Sequence, residues 1–147
     1  MSLVTASPMG WSWTSERSIE SDTALGQQVL DEVLTQLKQH AWDEQDTFGV
    51  HLAVEEALVN AIKHGNQSDP EKQVHVVSRV SPTHFYIEIR DEGEGFNPSD
   101  VPDPTAEENL ESPSGRGLML MRSFMSRVDF NEVGNCVVME KERQAAS

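Results

Sequence analysis

Residues Thr47–Asn66 read TFGVHLAVEEALVNAIKHGN, and the rest of the chain is organised around this stretch. It predicts one long helix. Phe48, Leu52, Val59 and Ile62 recur at spacings of three, four and seven, which predicts an apolar stripe facing a core. Glu56 and Asn60 stand four apart, so they lie one turn above each other on a single face. Lys63 and His64 continue that face, and Gly65 is expected to stop the helix as an αL cap. A carboxylate and a carboxamide aligned in this way can place a base beside a metal ligand. A solvated polar stripe gives the same pattern, so the helix alone does not decide between the two.

Outward from this helix, the sequence alternates in period. Gly10–Ile19 reads as a first strand, with Trp11, Trp13 and Ser15 alternating against Ser12, Thr14 and Glu16. Ser21 or Asp22 is a suitable N-cap for a helix over Asp22–His40, whose inward residues are Leu25, Val29, Val33 and Leu37. Trp42 and Asp43 link it to the central helix. Beyond the turn at Asp69 and Pro70, Val74–Val80 and Phe85–Arg90 alternate as two strands of an antiparallel hairpin. Gly115–Met125 reads as a third helix, with Leu118, Met121 and Met125 inward. Arg127–Val133 and Asn135–Glu142 read as a closing hairpin around Gly134. The economical packing is α+β: a two-layer sandwich of a mostly antiparallel, mixed sheet with three helices on one face.

Bulk properties narrow the function classes. At 147 residues the chain fits a single domain over 1–147. A formal net charge of −14 repels phosphate backbones, so direct nucleic-acid binding is not expected and a basic protein partner is better suited. One cysteine, Cys136, cannot pair internally and fits a reducing compartment. No secretion signal is visible near the N-terminus, and no apolar run approaches the length of a membrane span. A cytoplasmic location without membrane insertion is therefore expected. His40, His51, His75 and His84 show no ligand spacing with Cys136, which argues against zinc.

Three polar or glycine-rich stretches punctuate the core pattern. The first is Glu56, Asn60 and His64. The second is the loop Asp91, Gly93 and Gly95 at a strand end. The third is Ser114, Gly115, Arg116 and Gly117 at a helix start. Singly, each reads equally well as a solvated face, a turn or a helix entry. Between the last two lies Phe96–Ser114, a long acidic loop with four prolines and no period. Such a loop in a compact domain is expected to be a flexible lid, here over about 96–114.

The combination resembles the histidine-kinase-like ATPase superfamily, also called the GHKL or Bergerat fold, and within it the stand-alone anti-sigma-factor serine/threonine kinases. Glu56-Ala57-Leu58-Val59-Asn60-Ala61 with His64-Gly65 resembles that family's N box. Asp91-Glu92-Gly93-Glu94-Gly95-Phe96 resembles its first glycine box, and Gly115-Arg116-Gly117-Leu118-Met119-Leu120-Met121 its second. The likeness runs from about Trp11 to Lys141. It implies ATP and Mg²⁺ as cofactors, with Asn60 as the metal ligand and Glu56 as the catalytic base or orienting group. It gives Asp91 the exocyclic amine of adenine, a donor that guanine lacks at that position. Gly93 and Gly95 would permit close backbone approach. Ser114, Gly115, Arg116 and Gly117 would bind phosphate, as a helix start favours anions. His64 is expected to close the central helix.

The resemblance implies a kinase that phosphorylates a small anti-anti-sigma (STAS) protein and, as an anti-sigma factor, also engages a sigma factor. The alternative is a non-catalytic ATP-binding module that sequesters a sigma factor or another regulator. An intact Glu56 favours the enzyme, since a pure binder has no need of that carboxylate. A homodimer is compatible with Trp11 and Trp13 acting as sheet or subunit-interface residues.

Overall fold

A computed structural model describes residues 10–93 and 113–143, with the backbone alone for residues 113–116. The strands are β1 (Trp13–Glu20), β2 (Gln73–Val80), β3 (His84–Arg90), β4 (Arg127–Phe130) and β5 (Cys136–Glu142). The helices are α1 (Thr23–Gln39), α2 (Glu44–Val59) and α3 (Pro113–Phe124), and a π-turn over Asn60–Gly65 continues α2. The expected lid over 96–114 lies outside the described residues except for its last two positions, which fall in α3.

The strands form one sheet in the order β1-β2-β3-β5-β4, and every pairing is antiparallel. Alternation decides which face is covered. Val74, Val76 and Val80 of β2, Phe85, Ile87 and Ile89 of β3, and Val137 and Met139 of β5 are buried in one cluster with residues of the three helices. The α+β two-layer arrangement expected from the sequence is therefore the observed one, with a sheet that is antiparallel at every pairing among the described strands rather than mixed. On the first strand, Ser15 and Arg17 reach down to Glu32 of α1, at 3.1 and 3.0 Å. Trp13 packs on the core, while Trp11 lies against Tyr86 with ring centroids 6.2 Å apart.

Local chemistry sets the helix limits. Asp22 caps α1 by accepting the Ala24 N–H at 2.8 Å, and Asp43 caps α2 by accepting the Asp46 N–H at 2.8 Å. In the link between these helices, the buried Trp42 donates its Nε1–H to the Ser81 carbonyl at 2.9 Å. At the far end of the chain, Asn131 Oδ1 accepts the N–H groups of Gly134, Asn135 and Cys136. This closes the β4–β5 turn around Gly134, whose φ is 83°.

Two expectations for the central helix need correction. The apolar stripe is rotated. The buried residues of α2 include Gly49, Val50, Ala53, Val54, Ala57 and Leu58, whereas Leu52 and Val59 are half-buried and Phe48 is 57% exposed. The helix packs against both α1 and α3, and its small residues allow that close fit. Gly49, for example, faces the Phe124 ring of α3. Phe48 instead sets its ring edge-on to Phe124, at 6.3 Å between centroids.

Gly65 is also not the αL cap. The helix widens into the π-turn and ends at Asn66, which has ordinary right-handed φ and whose N–H reaches back to Ala61 O at 2.9 Å. The left-handed residues come later, at Gln67 and Ser68. The third helix runs from Pro113, a favourable first helical residue, to Phe124, so it starts two residues before the expected Gly115 and keeps Gly115 and Gly117 in its opening turns.

Candidate functional site

The π-turn, the end of β3 and the first turns of α3 meet at one end of the sheet. Glu56 and Asn60 occupy successive turns of the central helix, as their spacing predicts. Gly117 of α3 packs directly over both. A Cβ built on Gly117 would lie 3.0 Å from Asn60 Nδ2 and 3.1 Å from Glu56 Oε2. This contact joins the first sequence cluster to the third.

Asn60 carries an unusual feature. Its Oδ1 is buried and has no hydrogen-bond partner among the described residues. A buried acceptor left without a partner costs about 1–3 kcal/mol, so a ligand at this atom would relieve a real penalty. A neutral amide oxygen suits Mg²⁺, a hard cation bound through oxygens that commonly retains waters and shares phosphate ligands. Among the described residues, no three His, Cys, Asp or Glu side chains converge to form a metal cage. The donor set therefore fits a metal held partly by phosphate.

Asp91 directly follows β3 and is 8% exposed. Its backbone N–H is tied to Asn135 O at 2.8 Å, and its Oδ1 accepts the Gly93 N–H at 2.8 Å. Burial pushes its carboxyl above the usual range, against the opposing pull of the Gly93 N–H and the Lys72 charge. An ionised carboxylate offers about four lone-pair directions, so capacity remains to accept from a ligand amine. The second cluster is joined to the first by glycine contacts. A Cβ on Gly65 would overlap the Asp91 carboxylate, and a Cβ on Gly93 would overlap the Gly65 carbonyl. Gly65 is thus required by close approach rather than by its own φ. His64 is exposed on the π-turn.

Gly95 lies outside the described residues. Ser114, Gly115 and Arg116 fall in the first turn of α3, and their side chains lie outside what is described. A surface cleft between Glu20–Thr23 and Ile62, Lys63, Ser68 and Pro70 contains none of the predicted site residues.

Sequence reasoning missed Asn66. It is wholly buried and ties the π-turn to three other segments. Its Nδ2 donates to Ser21 Oγ and to Gln73 O, both at 3.0 Å, and its Oδ1 accepts the Glu92 N–H at 2.7 Å. Glu92 is anchored a second time from β2. Its Oε1 accepts the Gln73 N–H at 3.0 Å, and its Oε2 lies 3.0 Å from His75 Nε2. Those contacts hold its carboxyl below the usual range, with the Gln73 N–H the largest cause. An asparagine just after a helix-ending glycine reads as a turn residue, and nothing local reveals partners 45 and 26 residues away.

Comparison with known proteins agrees with this architecture. The sequence profile described as the histidine kinase-like ATPase domain matches residues 19–141. A protein named anti-sigma F factor from Oceanobacillus iheyensis is 30% identical over 131 residues, covering 85% of this chain and 87% of that protein. Another anti-sigma F factor, from Shouchella clausii, is 33% identical over 99 residues, covering 63% of this chain and 67% of that one. Serine/threonine-protein kinase BtrW from Bordetella bronchiseptica is 28% identical over 91 residues, which are 60% of this chain and 64% of its own length. Among solved structures, the RsbU and RsbW domains of a Mycobacterium tuberculosis protein superpose with a TM-score of 0.62. That match has 13% identity and covers 90% of this chain and 32% of that one, so it speaks to the fold alone.

Proposed function

This chain belongs to the histidine kinase-like ATPase domain family, and from that premise we propose that it is an ATP-dependent serine/threonine kinase of the partner-switching type. Its substrate is a serine or threonine on a small STAS protein, and as an anti-sigma factor it engages a sigma factor. Its place of action is the cytoplasm. Relatives named as anti-sigma F factors and as a serine/threonine kinase support this reading.

The observation that carries it is that Glu56 and Asn60 lie together beneath Gly117, with Asn60 Oδ1 buried and without a hydrogen-bond partner among the described residues. Asn60 Oδ1 would hold Mg²⁺, which supplies charge neutralisation at the phosphates when bound. Asp91 would accept a hydrogen bond from the adenine amine. Gly117, having no Cβ, leaves room for the Glu56 and Asn60 side chains. Glu56 would orient the incoming hydroxyl and take its proton. In the transfer, the hydroxyl oxygen bonds to the γ-phosphorus, the bond from that phosphorus to the β,γ-bridging oxygen breaks, and ADP leaves. Such transfers depend chiefly on positioning and electrostatic stabilisation.

The test is transfer of label from [γ-³²P]ATP to a STAS protein encoded beside this chain. Glu56→Gln keeps the side-chain shape and loses the basic oxygen. Transfer is expected to fall by about 10²–10⁴-fold, the range for a positioned general base, with ATP affinity nearly intact. Parental transfer rates in the variant would remove Glu56 from the mechanism. A parent that binds ATP and never phosphorylates a STAS protein would favour the non-catalytic ATP-binding module.

A further inference from the structure

Asn66 lies outside the three sequence clusters, yet its buried side-chain amide makes three hydrogen bonds beside them. Both Nδ2 hydrogens have acceptors, Ser21 Oγ and Gln73 O. Ser21 Oγ in turn donates to Lys72 O at 2.7 Å, so the amide is braced on the β1–α1 junction and on the entry to β2. The braced amide presents its Oδ1 to one group, the N–H of Glu92, at 2.7 Å. Glu92 follows Asp91 directly, so this bond fixes the peptide plane on the C-terminal side of Asp91. The backbone on the other side is fixed by the Asp91 N–H bond to Asn135 O. The Asp91 carboxylate is therefore aimed by two backbone anchors, one of which is Asn66.

From this geometry we propose that Asn66 is a positioning residue for base selection, acting through the Glu92 peptide to aim the Asp91 carboxylate at the purine. The proposal rests on the reading that Asp91 accepts from the adenine amine. It assigns nucleotide preference to a residue that does not itself meet the nucleotide. Asn60 and Asn66 then divide the two ends of the ligand. Asn60 serves the phosphate end, and Asn66 serves the base.

The test is calorimetric affinity for ATP and GTP, each with and without Mg²⁺, at a temperature where every variant is folded by circular dichroism. The parent should prefer ATP. Asn66→Ala removes the anchor and should narrow the ATP:GTP affinity ratio by about tenfold, the equivalent of one lost buried hydrogen bond to a positioned group. The fold enhancement of ATP affinity by Mg²⁺ should stay at the parental value, which a general loss of structure would not permit. Asn66→Asp keeps an acceptor for the Glu92 N–H but turns a carboxylate oxygen toward Gln73 O, so the brace is lost and the ratio should narrow as in Asn66→Ala. If Asn66→Ala does not fold, Asn66→Gln carries the test. It displaces the same amide by one methylene and should narrow the ratio likewise. A parental ratio in Asn66→Ala, Asn66→Gln or Asn66→Asp overturns the proposal. A parent that binds ATP and GTP equally overturns the Asp91 reading itself, which separates the two failures.

Discussion

Asp91 shows what burial at the candidate site does to a single residue. Its carboxylate is buried with one internal donor, the Gly93 N–H, and burial raises its pKa above that of a free aspartate. A raised folded-state value means that the folded chain binds the proton more tightly than the unfolded chain. Stability without nucleotide should therefore be highest below about pH 4, as far as this group is concerned. It should decline as pH rises from there through the folded-state value, and stay level above it. Asp91→Asn removes this contribution and keeps an oxygen for the Gly93 N–H. In urea unfolding between pH 4 and 8, the difference in stability between variant and parent should grow with pH in favour of the variant. ATP affinity should fall by tenfold or more, about 1.4 kcal/mol, because the amide would turn an NH₂ group toward the adenine amine. A pH-independent difference in stability would show that Asp91 is not strained by burial.

At the scale of elements, the π-turn and α3 set the site. Gly117 lies inside a helix, where alanine is ordinarily favoured by about 1 kcal/mol. A Cβ there would crowd Asn60 Nδ2 and Glu56 Oε2, which are side-chain ends and can yield. Gly117→Ala should thus leave thermal stability unchanged or slightly raised, while Mg²⁺-ATP affinity falls about tenfold. An affinity equal to the parent's would mean that these side chains need no fixed place. Gly65→Ala is the opposite case. Its new methyl would overlap a carboxylate held in place by backbone anchors, and overpacking of this kind costs about 1–3 kcal/mol or more. Denaturant midpoints should separate the two glycines clearly. The same elements show what the sequence made legible. The β2 and β3 alternation, the Asp22 cap and the inward Leu118, Met121 and Met125 follow from local period and capping chemistry, and the observed burial agrees. The side of α2 that faces the core does not follow, because a helix packed against two others has small residues on its closest contacts and apolar ones elsewhere. Phe48 is the clearest instance, exposed despite its period. The role of Gly65 was also illegible, since the demand for glycine comes from Asp91, 26 positions along the chain. The Glu56–Asn60 pairing was legible because it needs only the helical repeat.

At the scale of the whole molecule, the candidate site is where distant segments are tied together. Asn66 connects the central helix to Ser21 and Glu92, Gly117 brings α3 onto α2, and Asp91 is anchored on the turn before β5. At the opposite end of α3, Lys141 of β5 donates to the last helical carbonyl, Phe124 O, at 2.8 Å. It also lies 3.8 Å from the buried Asp46. A nucleotide joining Asn60, Asp91 and the start of α3 would therefore bridge most of the fold, and its binding free energy should appear as global stability. A ligand at 100 times its dissociation constant stabilises the bound state by about 2.7 kcal/mol. For a chain of this size, that corresponds to a rise in Tm of roughly 5–10 °C. Scanning calorimetry should give this rise with Mg²⁺-ATP and a smaller one with ATP and EDTA. Mg²⁺-GTP at the same concentration should give the smallest, because guanine presents an oxygen where Asp91 needs a donor. Asn60→Ala removes the buried Oδ1, which has no hydrogen-bond partner among the described residues, so its apo Tm should match or exceed the parent's. Its Tm with ATP should no longer respond to Mg²⁺. Equal shifts with ATP and GTP would detach Asp91 from base selection, and a parental Mg²⁺ response in Asn60→Ala would detach Asn60 from the metal.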